Sequence, residues 1–245
     1  MGDDSEHTGL VSAAELRAET FAHRDRPDLV LACQALRYAV YHHDLGLDTP
    51  DMDHARGLDI EENDPHCDFA TVSRVSDGEL LGCMRLQRGG AVRFYAELEF
   101  ELTDPWWRDL ACVEAARFAI RRPYRDGPVA MALFKCFRDY CRAHGVRNLL
   151  SVIIVPDPAP RLAFAHGMLR WLRPRIAFAT ERAHPQEGYV APSLDMDGGG
   201  EVEDVEPTKL PPMLRMLATP RTTLCSPPAY CKRFHTWNFL FVTRL

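Results

Sequence analysis

Glu114-Ala115-Ala116-Arg117-Phe118-Ala119-Ile120 sets an acid and a base inside an apolar run short enough for one buried strand. Burying a charge is costly unless it is paired, hydrogen-bonded or held for chemistry. Strict alternation sends residues three apart to opposite faces of a strand, so Glu114 and Arg117 share a face only across a bulge. Taken alone, the pair reads as mutual neutralisation or as pairing with a neighbouring strand. It is not alone. Upstream lie Arg37-x-x-x-Tyr41, an acidic run from Asp59 to Asp68 and Gly82-Cys83-Met84-Arg85-Leu86; downstream a basic turn leads into a helical pattern.

The chain has 245 residues and 46% hydrophobic content, enough to bury a full core in one domain. A net charge of -6 argues against general nucleic-acid binding, which needs a basic surface to neutralise phosphates. No apolar run approaches the roughly 20 residues that cross a bilayer. Met1-Gly2-Asp3-Asp4-Ser5-Glu6 has no signal-peptide core, so a cytoplasmic location is expected, with at most peripheral contact at the inner membrane. The eight cysteines form no C-x-x-C pair and read as reduced, buried thiols. His42-His43-Asp44 and Asp51-Met52-Asp53-His54 sit where a helical pattern gives way to a polar loop, and no metal site is expected there.

Residues 1–26 read as a flexible N-terminal arm with a short helix around Ala13 to Thr20. Residues 27–245 read as a single domain. From Asp28, Leu29, Ala32, Cys33, Leu36 and Val40 recur at helical spacing until Gly46, which puts Arg37 and Tyr41 on one face. Phe69 to Val75 and Leu80 to Leu86 form a hairpin at Asp77-Gly78. A strand over Ala111 to Ile120, a turn from Arg121 to Gly127 and a helix from Pro128 to His144 follow. Beyond these come a strand over Asn148 to Val155, a helix over Pro160 to Leu172, a mobile acidic loop at 195–206, a short helix over Leu210 to Leu217 and a closing strand over Thr236 to Val242. This order predicts an α/β (α+β) fold with a mixed sheet and covering helices.

An N-acyl transfer requires a thioester held near a donor, an amine without its extra proton, and contacts for the polar head of the amine substrate. Glu114 is the candidate proton acceptor, its basicity raised by burial. Arg85 and Arg117 are candidate ligands of a substrate carboxylate, where a two-pronged donor suits a planar anion. The turn from Arg121 to Gly127 can offer guanidinium and backbone N–H groups to a phosphate. Arg161, Arg170, Arg173 and Arg175 follow one another without an acid between them; a docking surface for an anionic carrier or lipid and a solvated helix face both fit.

These motifs together resemble the acyltransferase branch of the GNAT superfamily, which includes the autoinducer synthases and the ornithine-lipid N-acyltransferases. The synthases' R-x-x-x-F, acidic loop, G-x-x-R-L and E-x-S-R-F are matched by Arg37-x-x-x-Tyr41, Asp59 to Asp64, Gly82 to Leu86 and Glu114 to Phe118. The ornithine-lipid group adds matches at Asp64 to Phe69 and from Cys225 to Phe239. The resemblance implies a GNAT-like acyltransferase fold, with a splay in the sheet that takes the donor's pantetheine arm. It implies Glu114 as the base and Arg37, Tyr41, Asp59, Glu62, Asp64, Arg85 and Arg117 as the substrate-binding cluster. Arg121, Arg122, Arg125 and Gly127 would then meet the acyl donor, acyl-carrier protein or acyl-CoA. The acceptor would be a small amine, with no permanently bound cofactor. Two other readings stay open: an autoinducer synthase, which Leu47 in place of the usual Trp sets apart, and a non-catalytic carrier-binding protein, which Phe69, Cys231 and Asn238 suggest.

Overall fold

A computed structural model describes residues 11–90, 92–103, 105–125, 127–157, 159, 161–191, 194–196 and 200–245. The chain divides into two compact units, the first containing Met1–Gln87 with Ala115–His144 and the second Arg88–Glu114 with Gly145–Leu245.

In the first unit, β1 (Leu16–Ala22), β2 (Asp68–Arg74) and β3 (Leu80–Arg88) pair antiparallel in that order. Next to β3 comes β4 (Cys112–Ile120), whose residues from Ala115 onward belong to this unit. The β2–β3 turn is the expected one: Gly78 takes φ +75° and the Asp77 carboxylate accepts the Glu79 N–H at 3.0 Å. Residues 16–22 correct the expected arm and helix. Only Ala13–Glu15 makes a single helical turn, and the following segment is a strand, with Phe21 stacked on Phe69 at 5.7 Å. Its charged composition belongs to a strand at the sheet margin, where most side chains meet water.

Helix α1 (Pro27–Tyr38) starts at a proline, which suits the first helical position, and widens into a π-helical segment over Ala39–Asp44 before Gly46 at φ +68° ends it. Val30, Cys33, Leu36 and Val40 pack with Phe69, Cys83 and Ala119 as the core. Helix α2 (Pro128–Ala143) buries Val129, Leu133, Phe137 and Tyr140. The helix comes so near β3 that a Cβ at Gly82 would lie 3.0 Å from both Leu133 and Val129.

In the second unit, Cys112–Glu114 of β4 pair parallel with the start of β5 (Asn148–Pro156), which runs antiparallel to β8 (Thr236–Arg244) along its length. β6 (Thr222–Leu224) and β7 (Ala229–Cys231) both pair antiparallel with β8, and Ala177–Phe178 pairs parallel with β6, which makes this a mixed sheet. Phe94, Phe100, Trp107, Leu150 and Leu240 fill its core. Two helices, α3 (Leu162–Leu172) and α4 (Pro212–Leu217), complete the unit.

The basic face of α3 is already occupied. Arg161 pairs with Asp157 and Glu203, each at 2.8 Å, Arg170 pairs with Asp204 at 2.6 Å, and Arg173 donates to the carbonyl of Met196. Around Glu203 and Asp204, the acidic segment therefore lies across the helix as a strap; residues 197–199 of the expected mobile loop lie outside the described residues. Arg161 and Arg170 thus meet this chain's own acids, whereas Arg173 and Arg175 donate to main-chain carbonyls. Contact is closest at Gly167, where a Cβ would lie 2.1 Å from the Glu203 carbonyl oxygen. Gly167→Ala raises helix propensity by about 0.5–1 kcal/mol. Its clash with the strap is nevertheless expected to lower net stability by about 1–3 kcal/mol in urea melts and to make residues 200–206 sensitive to limited proteolysis. Unchanged proteolysis and a higher melting point would contradict the strap.

Candidate functional site

Three guanidinium groups meet four carboxylates inside the first unit. Arg37, in the last turn of α1, forks onto Asp64 with Nη1 at 2.9 Å and Nη2 at 2.7 Å, and its Nε lies 2.9 Å from Asp59 Oδ2. Gln34, three residues earlier on the same face, donates to Asp64 at 3.0 Å. On β3, Arg85 pairs with Glu61 and lies 3.6 Å from Asp64. From β4, Arg117 reaches Glu61, Asp51 at 2.9 Å and Asp59 at 3.5 Å. Arg37, Asp59, Asp64 and Arg85 are all at most 1% exposed. Partnering on this scale is what allows so many charges to lie out of water.

Local backbone geometry sets these positions. The loop after α1 folds into a short ladder, Met52–Asp53 with Leu58–Asp59, and the Ile60 N–H donates to the Asp51 carbonyl at 2.7 Å, which brings Asp51 and Asp59 together. Arg117 adopts φ +54°, a left-handed conformation rare for a side-chain-bearing residue, in the middle of β4. A residue in this conformation interrupts the strict alternation of side chains along β4. Tyr41 half-buries its ring with the Arg117 guanidinium 5.8 Å from the ring centre and donates its hydroxyl to the Phe118 carbonyl at 3.1 Å. Burial pushes the Tyr41 phenol well above its ordinary range.

Two expectations need correction. Glu62 is exposed, and Glu61 is the residue that joins Arg85 to Arg117. Period-two spacing carried the signal, because in an extended segment Asp59 and Glu61 project to one side and Glu62 to the other. Asp51 and Gln34 complete the cluster and were not among the expected residues. Secondly, Arg85 and Arg117 spend their guanidinium groups on protein carboxylates, so they orient acids where they were expected to bind a substrate's carboxylate.

In the second unit, Glu114 is buried, and its two oxygens accept the N–H groups of Tyr95 at 2.8 Å and Ala96 at 2.7 Å. Backbone donors fix the carboxylate and dock the Tyr95–Leu98 turn upon it. Of the expected donor-binding residues, all in the first unit, Arg121 donates to the Leu80 carbonyl at 2.9 Å and pairs with Glu79, and Arg125 donates to the Ile120 carbonyl at 3.0 Å and pairs with Asp44. Arg122 is exposed, and Gly127 caps α2 in an extended conformation. A cavity of about 540 Å³ lined by Val40, His43, Arg121, Arg122 and Tyr124 adjoins this turn.

Burial pushes the Asp59 carboxyl above its ordinary value of 3.8, against the opposing pull of Arg117 and Arg37. A raised carboxyl favours the fold most below its ordinary value, and that contribution fades as pH rises through the raised one. Asp59→Asn is therefore expected to gain stability relative to the parent protein as pH climbs across that window in chemical melts. Asp64→Asn, which leaves the fork of Arg37 without its anion, is expected to cost about 3–5 kcal/mol at neutral pH, more than Asp59→Asn. Equal losses, or an Asp59→Asn difference independent of pH, would contradict this ranking.

The acetyltransferase (GNAT) domain family matches residues 36–135, a stretch that contains every member of the cluster except Gln34. The L-ornithine N(alpha)-acyltransferase of Rhodobacter capsulatus is 29% identical over 151 residues, covering 58% of this chain, and the chain spans 58% of that relative's length. Among solved structures, the CoA-dependent acyl-homoserine lactone synthase MesI superposes with a TM-score of 0.52 at 13% identity, over 93% of this chain and 88% of that one. At that identity the likeness is one of fold. The stretch that matches this family, residues 36–135, is the one that holds the buried arginines and their carboxylates.

Proposed function

We propose that this protein is an N-acyltransferase that moves a fatty acyl group from acyl-carrier protein or acyl-CoA to the amine of an amino acid or related small amine, as in N-acyl amino acid or lyso-ornithine-lipid synthesis. The observation that carries the reading is the charge balance of the buried cluster within the GNAT segment. Arg37, Arg85 and Arg117 face Asp51, Asp59, Glu61 and Asp64, one acid more than base. A surplus carboxylate in a dry site favours a cation, and the acceptor arrives as an ammonium. Similarity to an L-ornithine acyltransferase supports the same acceptor chemistry.

In this reading the amine nitrogen attacks the thioester carbonyl, a C–N bond forms, the C–S bond breaks and the thiolate leaves. Before attack the ammonium gives one proton to Glu114, directly or through one water, and the second proton that the nitrogen loses as the amide forms goes to the leaving sulfur. Glu114, whose two oxygens accept the N–H groups of Tyr95 and Ala96, is the proton acceptor in this reading. Arg37, Tyr41, Asp59, Asp64, Arg85 and Arg117, joined by Glu61 and Asp51, hold and orient the amine. Arg122, exposed in the turn before α2, and Gly127 at the N-cap of that helix meet the donor's phosphate, with Arg121 and Arg125 bracing the turn. The protein works in the cytoplasm with its carrier partner and meets the inner membrane only peripherally. No helix among the described residues is long and apolar enough to cross a bilayer.

Incubation of the purified protein with acyl-carrier thioesters, acyl-CoA and a panel of amino acids, followed by mass spectrometry, is expected to yield N-acyl amines with matching loss of thioester. Glu114→Gln is expected to lower kcat at least ~100-fold with a smaller change in KM, and Arg122→Glu to raise the KM for the donor. Thioester loss without an N-acyl product, or full activity in Glu114→Gln, would exclude the proposed chemistry.

A further inference from the structure

Strand β1 ends the sheet order of its unit, and no described strand pairs with its other edge. We propose that this edge is a homodimer interface, in which β1 pairs antiparallel with β1 of a second copy about a two-fold axis at Ala18. The orientation of the backbone comes first. The Val75 N–H donates to the Glu15 carbonyl at 2.8 Å, and the His23 N–H donates to the Cys67 carbonyl at 3.1 Å. Both bonds lie in register with the β1–β2 ladder, so odd-numbered residues of β1 direct their N–H and C=O groups to β2. Leu16, Ala18 and Thr20 direct theirs outward. A two-fold axis at Ala18 sets Ala18 opposite itself and Leu16 opposite Thr20 of the second copy. Each of these is a hydrogen-bonded pair, which gives six main-chain bonds.

Charge then selects the register. Arg17 and Glu19 share one face of β1, 3.3 Å apart, and Glu19 also pairs with Arg26 at 3.4 Å. An axis at residue 17 would oppose two arginines, and an axis at residue 19 two glutamates; like charges directly opposite destabilise a ladder. The axis at Ala18 opposes Arg17 to Glu19 twice. On the other face, Leu16, Ala18 and Thr20 line a groove of about 790 Å³ with Met131 and Ala132 of α2. Met131 is 70% exposed, and a second copy on this edge would cover it. Edge strands commonly carry charge that repels a partner, whereas this one carries charge complementary to itself.

Sedimentation equilibrium of the full chain tests the proposal. The parent protein is expected to dimerise, and Ala18→Pro, which removes an outward N–H, to be monomeric. Arg17→Glu is expected to weaken the dimer about tenfold, and the exchange Arg17→Glu with Glu19→Arg to restore it, a rescue that damage to the fold would not show. Residues opposite each other in a hydrogen-bonded pair have Cα atoms about 5.5 Å apart, within disulfide range. Ala18→Cys is therefore expected to cross-link on oxidation, and Arg17→Cys, with the same native thiols, to cross-link far less. A parent protein that stays monomeric at its highest soluble concentration overturns the proposal. So does a dimer indifferent to Ala18→Pro and to the charge exchange.

Discussion

The fork of Arg37 on Asp64 holds the candidate site together. A guanidinium at the end of α1 and a carboxylate at the end of the acidic loop are both almost fully buried, and neither is tolerable in that position without the other. Once they meet, the loop between them closes into the Met52–Asp53 and Leu58–Asp59 ladder, which delivers Asp51, Asp59 and Glu61 to Arg117 and Arg85. Helix, loop, β3 and β4 are thereby tied at one point. The left-handed backbone at Arg117 is the local cost of bringing β4 into the knot, and the carboxylates that surround its side chain offset that cost.

Saturation of the arginines changes what the site can recognise. An arginine pair open to solvent would bind an anion, but here each guanidinium already faces a carboxylate of the chain itself. What the cluster offers outward is the acidic surplus, with Asp51 its most exposed member. The Asp59 carboxyl is raised by its burial, which outweighs the opposing pull of Arg117 and Arg37.

Much of this was legible in the sequence because periodicity and turn chemistry are local. The Asp77-Gly78 hairpin, the helix from Pro128 and the strand from Asn148 stand where their residues place them. Arg37, Asp59, Asp64, Arg85 and Arg117 converge as expected. What escaped depends on partners distant in sequence. β1 looks like a solvated arm until Phe21 meets Phe69. The basic helix face looks like a docking surface until the acids near residue 203, some forty positions away, cross it. Glu61 was passed over for Glu62, although alternation from Asp59 pointed to the former. Glu114 was legible as a buried acid, but not as one clasped by the amides of Tyr95 and Ala96.

The most direct test is a comparison of acceptors that differ only in side-chain charge. Diamino acids carrying a second ammonium should be acylated with a higher kcat/KM than neutral amino acids of the same length. That preference should shrink in Asp51→Asn, which removes the most exposed acid of the cluster and leaves Arg117 paired with Glu61. Transfer that ignores acceptor charge, or a preference that survives Asp51→Asn, would contradict an amine site built on the cluster's carboxylates.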